Sequence, residues 1–350
     1  MSSDQVIIKN DNYIPLSRKE ISSSLKQFME VKPWVYWIDF LLSVIIGFTS
    51  FQLLNLSVST GLMTILLYMV SVFSFLRALG FIHEISHQSK GKNANFMKKF
   101  RFAWNFLIGV PFMLSSPFYS CHLKHHSSKT FGTEKDPQYP HFRGNPLKVI
   151  GFVIGQAVAS VLLLPVRLLL LNPLSLFSSK LRMLIENRFS SIAEPHYIAD
   201  FSAEDTYLLR KNDALSFIFW VVVITLLVLG IVPVSYIVTY LFVVFGVMLV
   251  NNFRVLGEHK HEQRKAIENE NLFDKEFLDS FNYSKGGLLI ELLYNTGLRY
   301  HALHHLMPQI PYHNLSKAHR YLKNNLPSNS IYNQVEAKGH LYNVIQLFSK

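Results

Sequence analysis

The sequence predicts an all-α integral membrane protein, and two observations carry this prediction. Charged residues make up only 16% of the 350 residues, against roughly 25% in an average soluble domain. They are also absent from two long stretches, Phe40–Leu76 and Ala214–Phe253, of 37 and 40 residues. Because a membrane-spanning helix needs about 20 apolar residues, each stretch has room for two spans and a tight turn.

The two stretches predict four transmembrane helices in two hairpins, with spans at about 40–57, 61–80, 214–231 and 234–253. The first turn is expected within 55–61, and the second near Gly230 and Pro233, because glycine and proline interrupt apolar runs. Neither turn carries Lys or Arg. Basic residues collect on the inner side of membranes, so we expect both turns outside and both termini inside.

The rest of the chain divides around these hairpins. Residues 1–35 are expected to form a polar cytoplasmic N-terminal segment, 36–325 the membrane domain and 326–350 a cytoplasmic C-terminal tail. The polar parts of the membrane domain are long enough to form a cytoplasmic helical cap. Two further apolar stretches, 102–121 and 149–171, could span a membrane by length alone.

Composition also excludes several classes of function. The single cysteine, Cys121, excludes an internal disulfide framework and CxxC metal or redox sites. A net charge of +11 is compatible with nucleic-acid binding, but no basic repeat or RNA-binding signature accompanies it. Basic residues facing anionic lipid head groups explain the charge better, so we expect membrane lipids and no nucleic acid as partners.

Histidine provides the strongest chemical signal. Eight of the 15 histidines lie in three boxes, "HEISH" at 83–87, "HLKHH" at 122–126 and "HALHH" at 301–305. Residues three or four apart share one face of a helix, so each box can present two or three imidazoles together. Imidazole is the commonest protein metal ligand and suits zinc, copper, iron and nickel.

Three metal-site interpretations are open at this point. H-E-x-x-H is the signature of zinc metalloproteases, but one zinc with an open position needs only three ligands and leaves two boxes unexplained. A histidine-rich metal carrier is possible, although the boxes lie at the ends of the apolar runs and not inside them. Two redox-active metal ions account for all three boxes.

The three boxes, in this order, resemble those of the membrane fatty acid desaturase superfamily, which also includes alkane and carotenoid oxygenases. The flanks "HHSSKTFGTEKDP" (125–137) and "RYHALHHLMPQIPYHNLSKAH" (299–319) are similar to bacterial members. The resemblance implies a non-haem di-iron centre on the cytoplasmic face. The implied ligands are His83, His87, His122, His125, His126, His301, His304, His305 and, after the last hairpin, His259.

Four charged residues close to the implied ligands in sequence, Glu84, Asp136, Arg254 and Glu258, are expected beside the imidazoles, where carboxylates can fix the tautomer and the ring direction. The alternative for each carboxylate is a solvated side chain or a local cap. His261 is expected to be a solvated neighbour of His259. The remaining five histidines are expected at the surface or next to the ligands; they are His141, His196, His313, His319 and His340.

One metal centre requires every box on one face of the membrane. If 102–121 and 149–171 both crossed, the second box would lie on the opposite face from the others. We therefore expect these stretches to be re-entrant or interfacial, which leaves four spans. Irregular backbone at that depth is tolerated only where it is buried in protein.

The expected activity is that of an O₂-dependent fatty acyl desaturase, which introduces a double bond into a lipid alkyl chain. A hydroxylase or ketolase of alkane, sphingoid or carotenoid substrates is the alternative on the same fold. The sequence contains neither an H-P-G-G haem motif nor a G-x-G-x-x-G loop. Electrons are therefore expected from a ferredoxin or a cytochrome b5 with its reductase, and the location is expected to be a bacterial inner membrane.

Overall fold

The computed structural model describes residues 18–56, 61–89, 91–261, 272–328 and 330–349. This part of the chain is helical, and its extended pairings are isolated bridges such as His259 with Ser280. The all-α prediction is confirmed. The helices are α1 Arg18–Leu25, α2 Pro33–Leu56, α3 Leu62–Gln88, α4 Ala94–Trp104, α5 His122–His125, α6 Pro146–Phe177, α7 Ser179–Arg188, α8 Ala203–Val228, α9 Ser235–Val255, α10 Leu272–Asp279, α11 Gly287–Leu293, α12 His301–Leu306, α13 Tyr312–Asn325 and α14 His340–Gln346.

Five of these helices, α2, α3, α6, α8 and α9, are long and apolar enough to cross a membrane. They fit an integral membrane protein. Four overlap most of the predicted spans, and α6 contains the stretch 149–171. The second predicted turn lies between α8 and α9, where Gly230 has a φ of +70°; most of the first, residues 57–60, lies outside the described residues.

The chain divides into two compact units. One, which we call the apolar unit, comprises residues 33–122 and 150–252; the other, the polar unit, comprises residues 1–32, 123–149 and 253–350. The apolar unit contains most of the five long helices. The polar unit contains the second and third histidine boxes apart from His122.

Close packing of α2 against α3 positions the first histidine box. A Cβ atom on Gly47 would lie 2.9 Å from the Phe75 ring, so only glycine allows this approach. An ion pair of 2.6 Å between Arg77 and Asp39 joins the same helices nearer the box. The last turns of α3, which carry His83 and His87, are thereby fixed against α2.

Residues 94–121 contact the α8–α9 hairpin near both of its ends. At one end of the α8–α9 hairpin, Arg101 pairs with Glu204 at 2.6 Å. Further along, the carbonyl of Pro111 accepts a hydrogen bond of 2.9 Å from Tyr240, which is close to the hairpin turn. The chain then returns, and the Phe118 carbonyl accepts from the amide of Ile192 at 2.8 Å.

Two sets of polar contacts join helix α6 to one end of the α8–α9 hairpin. The side chain of Asn252, at the end of the apolar run, donates to the carbonyls of Phe152 and Val153 at 3.3 Å. Arg167 forms two hydrogen bonds, of 2.9 and 2.7 Å, to Asp213, which precedes the same run. Both contacts lie at the hairpin end remote from its turn.

The middle of α6 reaches deeper into the apolar unit. Leu168 forms a buried cluster with Met113 and Trp220, and Leu164 and Tyr240 pack against it. After α6, Glu186 of α7 pairs with Arg210 at 2.6 Å, again at the hairpin end remote from the turn. The polar contacts of α6 and α7 thus lie at the same end of the hairpin, and whether α6 is re-entrant stays a prediction.

The polar unit has its own hydrophobic core. Leu25 of α1, Leu303 of α12 and Leu322 of α13 are buried together with Val335. The backbone of Asn282 exchanges hydrogen bonds of 2.8 Å with Val335 and Ala337. The N-terminal helix and the C-terminal residues therefore help to hold α12, which carries the third histidine box.

Candidate metal centre

Four of the predicted ligands form one buried group in the polar unit. Candidate ligand atoms of His125, His259, His301 and His305 all lie within 4.8 Å of one another. Nε2 of His259 is 3.2 Å from Nε2 of His125 and 3.1 Å from Nε2 of His301. Nε2 of His305 is 3.2 Å from that of His301. Every side chain in this group is at most 3% exposed.

Each of these four imidazoles has an oxygen atom on its Nδ1 side. Nδ1 of His125 is 3.0 Å from both carboxylate oxygens of Asp136, and Nδ1 of His259 is 3.1 Å from Oγ of Ser280. Carboxylate oxygens lie farther away in the other cases. They are Asp279 at 3.6 Å from His259, Glu258 at 3.9 Å from His301 and Glu276 at 3.9 Å from His305.

These partners fix the tautomers of His125 and His259. An ionised carboxylate only accepts hydrogen bonds, so Nδ1 of His125 carries the proton and Nε2 presents a lone pair. The single hydroxyl proton of Ser280 is donated to the carbonyl of Glu276 at 2.8 Å. Ser280 therefore accepts from Nδ1 of His259, whose Nε2 is also bare.

Bare Nε2 atoms 3.2 Å apart repel each other unless a cation lies between them. The donor set thus fits a metal ion held by neutral imidazoles, each supported from behind as protein metal ligands usually are. Burial and the adjacent His301 also lower the pKa of His305 well below its ordinary value, so this imidazole is neutral, as a ligand must be.

Asp136 and Glu258 are held in place by contacts of their own. Asp136 accepts hydrogen bonds from the backbone amides of Gly132 at 2.8 Å and Gln138 at 2.9 Å. Burial raises the pKa of Glu258, and the neighbouring Arg254 guanidinium opposes this. Arg254, expected beside the ligands, makes a hydrogen-bonded ion pair with Glu258. It contributes through Glu258 to the environment of His301.

Three more predicted ligands lie together in the apolar unit. The ring of His83 is 4.9 Å from that of His87 and 4.7 Å from that of His122, and the last two rings are 5.0 Å apart. Tyr119 stacks on His122 at 4.6 Å. Glu84, expected beside the ligands, has a carboxylate oxygen 3.8 Å from Nδ1 of His83.

The last two predicted ligands, His126 and His304, pair within the polar unit. Their ring centroids are 4.7 Å apart, and His126 also stacks on His305 at 4.2 Å. The three boxes and His259 thus supply six imidazoles within the polar unit and three side by side in the apolar unit, of which His122 begins helix α5. His261, also in the polar unit, belongs to neither metal group.

Sequence reasoning missed several supporting residues in the segment after His259. Glu276, Asp279 and Ser280 lie at the end of α10, and Tyr139 donates a hydrogen bond of 2.7 Å to Asp279. The only signal was the spacing of Glu276 and Asp279, which places them on one helical face. Nothing in the local sequence shows that this face turns toward His259 and His305.

The expectation for His261 was wrong. Its side chain is fully buried, with ring contacts to Tyr139 at 5.2 Å and Phe142 at 4.8 Å, and burial lowers its pKa to about 3. Two other histidines expected at the surface or beside the ligands have buried partners elsewhere. His319 lies beside Tyr332 at 2.7 Å and His340 beside Tyr294 at 2.8 Å.

Comparison with known proteins identifies the family. Residues 57–335 match the fatty acid desaturase family, as the three boxes predicted. A protein from Caulobacter vibrioides (strain NA1000 / CB15N) named ceramide hydroxylase is 33% identical over 340 residues, which covers 95% of this chain and 92% of the relative. The histidine groups fit the di-iron site typical of this family. The chain belongs to the fatty acid desaturase family of membrane oxidoreductases.

Proposed function

We propose that the protein is an O₂-dependent di-iron hydroxylase that acts on the alkyl part of a ceramide-type lipid. The observation that carries the metal chemistry is the convergence of Nε2 atoms from His125, His259 and His301 at 3.1–3.2 Å. The choice of hydroxylation and of a ceramide-type substrate rests on the ceramide hydroxylase that is 33% identical over 95% of the chain.

The nine predicted histidines are proposed to hold two iron ions. One would be held by the group of four in the polar unit, and His83, His87 and His122 would be among the ligands of the other. Bound iron would supply the redox chemistry that reduces O₂ and removes hydrogen from an unactivated C–H bond. Asp136 and Ser280 hold the Nδ1 protons of their histidines, which keeps the Nε2 lone pairs directed at the metal.

Desaturation, the activity expected from the motifs, is the second candidate, because the family that matches this chain is named for fatty acid desaturases. The two reactions differ in stoichiometry. Hydroxylation of one C–H bond consumes O₂, two electrons and two protons and releases one water. Desaturation of two neighbouring carbons consumes the same reactants and releases two waters. Lipid mass therefore separates them.

Two further proposals follow from this chemistry. The reaction needs two electrons per turnover. They would come from a separate carrier, a ferredoxin or a cytochrome b5 with its reductase.

The protein would lie in a bacterial inner membrane with its termini and metal centre on the cytoplasmic side. The absence of Lys and Arg from residues 229–235 supports this orientation.

The test is lipid mass spectrometry after expression in a ceramide-producing host that lacks this activity and supplies a matching electron carrier. A ceramide that has gained one oxygen atom is the expected product. A ceramide that has lost two hydrogen atoms would contradict hydroxylation in favour of desaturation. Unchanged ceramide beside a modified fatty acyl lipid would contradict the substrate.

His304→Ala, which removes a predicted ligand, is expected to insert into the membrane and to form no product. His196→Ala is the matched control, since His196 is exposed on the segment before α8, and it should retain the wild-type product yield. Product formation by His304→Ala at the wild-type rate would contradict the ligand set.

A further inference from the structure

In each unit, one tyrosine donates a hydrogen bond to a carboxylate that lies close to a predicted metal ligand. In the polar unit, the hydroxyl of Tyr139 donates to Oδ2 of Asp279 at 2.7 Å. The same oxygen lies 3.6 Å from Nδ1 of His259. In the apolar unit, the hydroxyl of Tyr36 donates to Oε2 of Glu84, whose other oxygen lies 3.8 Å from Nδ1 of His83.

All members of these two arrays are buried. Asp279 is 7% exposed and Glu84 is 1% exposed, while Tyr139 and Tyr36 are 4% and 0% exposed. A buried carboxylate is costly unless donors satisfy it, and a phenol on a fixed ring supplies one donor in one direction. Each tyrosine therefore limits where its carboxylate can point.

The rings of both tyrosines are themselves held by other aromatic rings. Tyr139 packs on Phe131 at 5.2 Å, and Phe131 in turn contacts His125 and His259. Tyr36 packs on Phe96 at 5.4 Å and on Phe100 at 5.6 Å. The hydroxyl positions are therefore set by rigid packing and not by the carboxylates alone.

The distances of 3.6 and 3.8 Å between carboxylate and imidazole are too long for a hydrogen bond. The carboxylates therefore act on His259 and His83 through their charge, and such an effect depends on distance in a buried site. A carboxylate that rotates away from Nδ1 stops stabilising positive charge on the imidazole and on a metal bound to it.

We propose that Tyr139 and Tyr36 are positioning residues of the metal centre, which act on His259 and His83 through Asp279 and Glu84. The proposal rests on the proposed function, because it takes these histidines to be iron ligands. In each group of ligands, one phenol holds a negatively charged carboxylate near the Nδ1 atom of one imidazole.

The experiment measures how fast the purified holoprotein loses iron to a ferrous chelator. Tyr139→Phe and Tyr36→Phe keep the ring and remove only the hydroxyl, so each is expected to fold. Each should lose iron about tenfold faster than wild type, the lower end of the effect usual for residues behind a metal ligand. The reduction potential should shift to more positive values, because less negative charge stabilises the oxidised metal.

Two matched variants separate this role from general packing. Tyr332→Phe removes a buried hydroxyl that bonds to His319 in the polar unit, and Tyr240→Phe removes one that bonds to a carbonyl in the apolar unit. Neither bond involves a predicted ligand. Both variants should retain wild-type iron loss and potential.

A double-mutant cycle tests whether the tyrosines act through the carboxylates. Tyr139→Phe should add nothing to the effect of Asp279→Asn, and Tyr36→Phe should add nothing to that of Glu84→Gln, because coupled residues are not additive. Additive effects, or wild-type iron loss in both tyrosine variants, would overturn the inference while leaving the proposed function intact. A wild-type protein that binds no iron would contradict both.

Discussion

At the scale of single residues, the oxygen atoms behind the imidazoles decide whether the histidines can serve as ligands. His125 shows this most clearly, because Asp136 meets its Nδ1 atom with both carboxylate oxygens at 3.0 Å. Two backbone amides fix the carboxylate in turn. The carboxylate of Asp136 therefore serves to orient the imidazole of His125.

Asp136→Asn is expected to weaken metal binding by about 10- to 100-fold. The amide has the shape of the carboxylate but no charge, so it supports the Nδ1 proton of His125 less well and loses one acceptor for the amides of Gly132 and Gln138. Iron loss from the purified holoprotein to a chelator measures the effect. Asp200→Asn, at an exposed position before α8, is the control. Equal iron loss in the two variants would contradict the role of Asp136.

How far these residues could be predicted depends on their distance from a motif. Asp136 was found because it lies eleven residues after His125 within a recognisable flank of the second box, and Glu258 because it adjoins His259. Asp279 belongs to a segment without histidine, and Tyr139 acts only through Asp279. Their role arises from contacts between distant parts of the chain, which no local pattern encodes.

At the scale of elements, the path of α6 decides how many helices cross the membrane. His125 precedes α6 and His259 follows α9, yet their Nε2 atoms are 3.2 Å apart within the polar unit. An even number of crossings must therefore separate them. Since α6, α8 and α9 are all long enough to cross, at least one of the three does not, and we propose that it is α6, which has polar contacts with Asn252 and Asp213.

Cysteine labelling in intact cells tests this path. In a Cys121→Ser background, Ser235→Cys is expected to react with a membrane-impermeant thiol reagent, because Ser235 begins α9 at the turn that we propose to lie outside. Lys92→Cys and Asp200→Cys are expected to react only after permeabilisation, since they follow α3 and precede α8. All three positions are exposed in the structure.

The three labelling patterns have different meanings. If Asp200→Cys reacts in intact cells and Lys92→Cys does not, an odd number of crossings separates residues 92 and 200, and the proposed re-entrant path of 102–121 and α6 is wrong. If both react in intact cells and Ser235→Cys does not, the orientation is inverted. Sequence alone could not settle α6, because it is as long and as apolar as a helix that spans a membrane; its polar contacts support the proposed re-entrant path.

At the scale of the whole molecule, the predicted ligands come from segments that are far apart in sequence. His83 and His305 lie 222 positions apart, and the boxes begin on different helices. Their spacing and order predicted the family correctly, because ligand geometry restricts both strongly. The motifs did not distinguish a hydroxylase from a desaturase, because both reactions use the same ligands.

The most direct test of the account is the metal content of the purified, detergent-solubilised protein from iron-replete cells. We expect about two iron ions per chain, as in two-metal sites, and a loss of iron in His125→Ala that is not seen in His196→Ala. Zinc in place of iron, no bound metal, or unchanged iron in His125→Ala would contradict the claim that these histidines hold a di-iron centre.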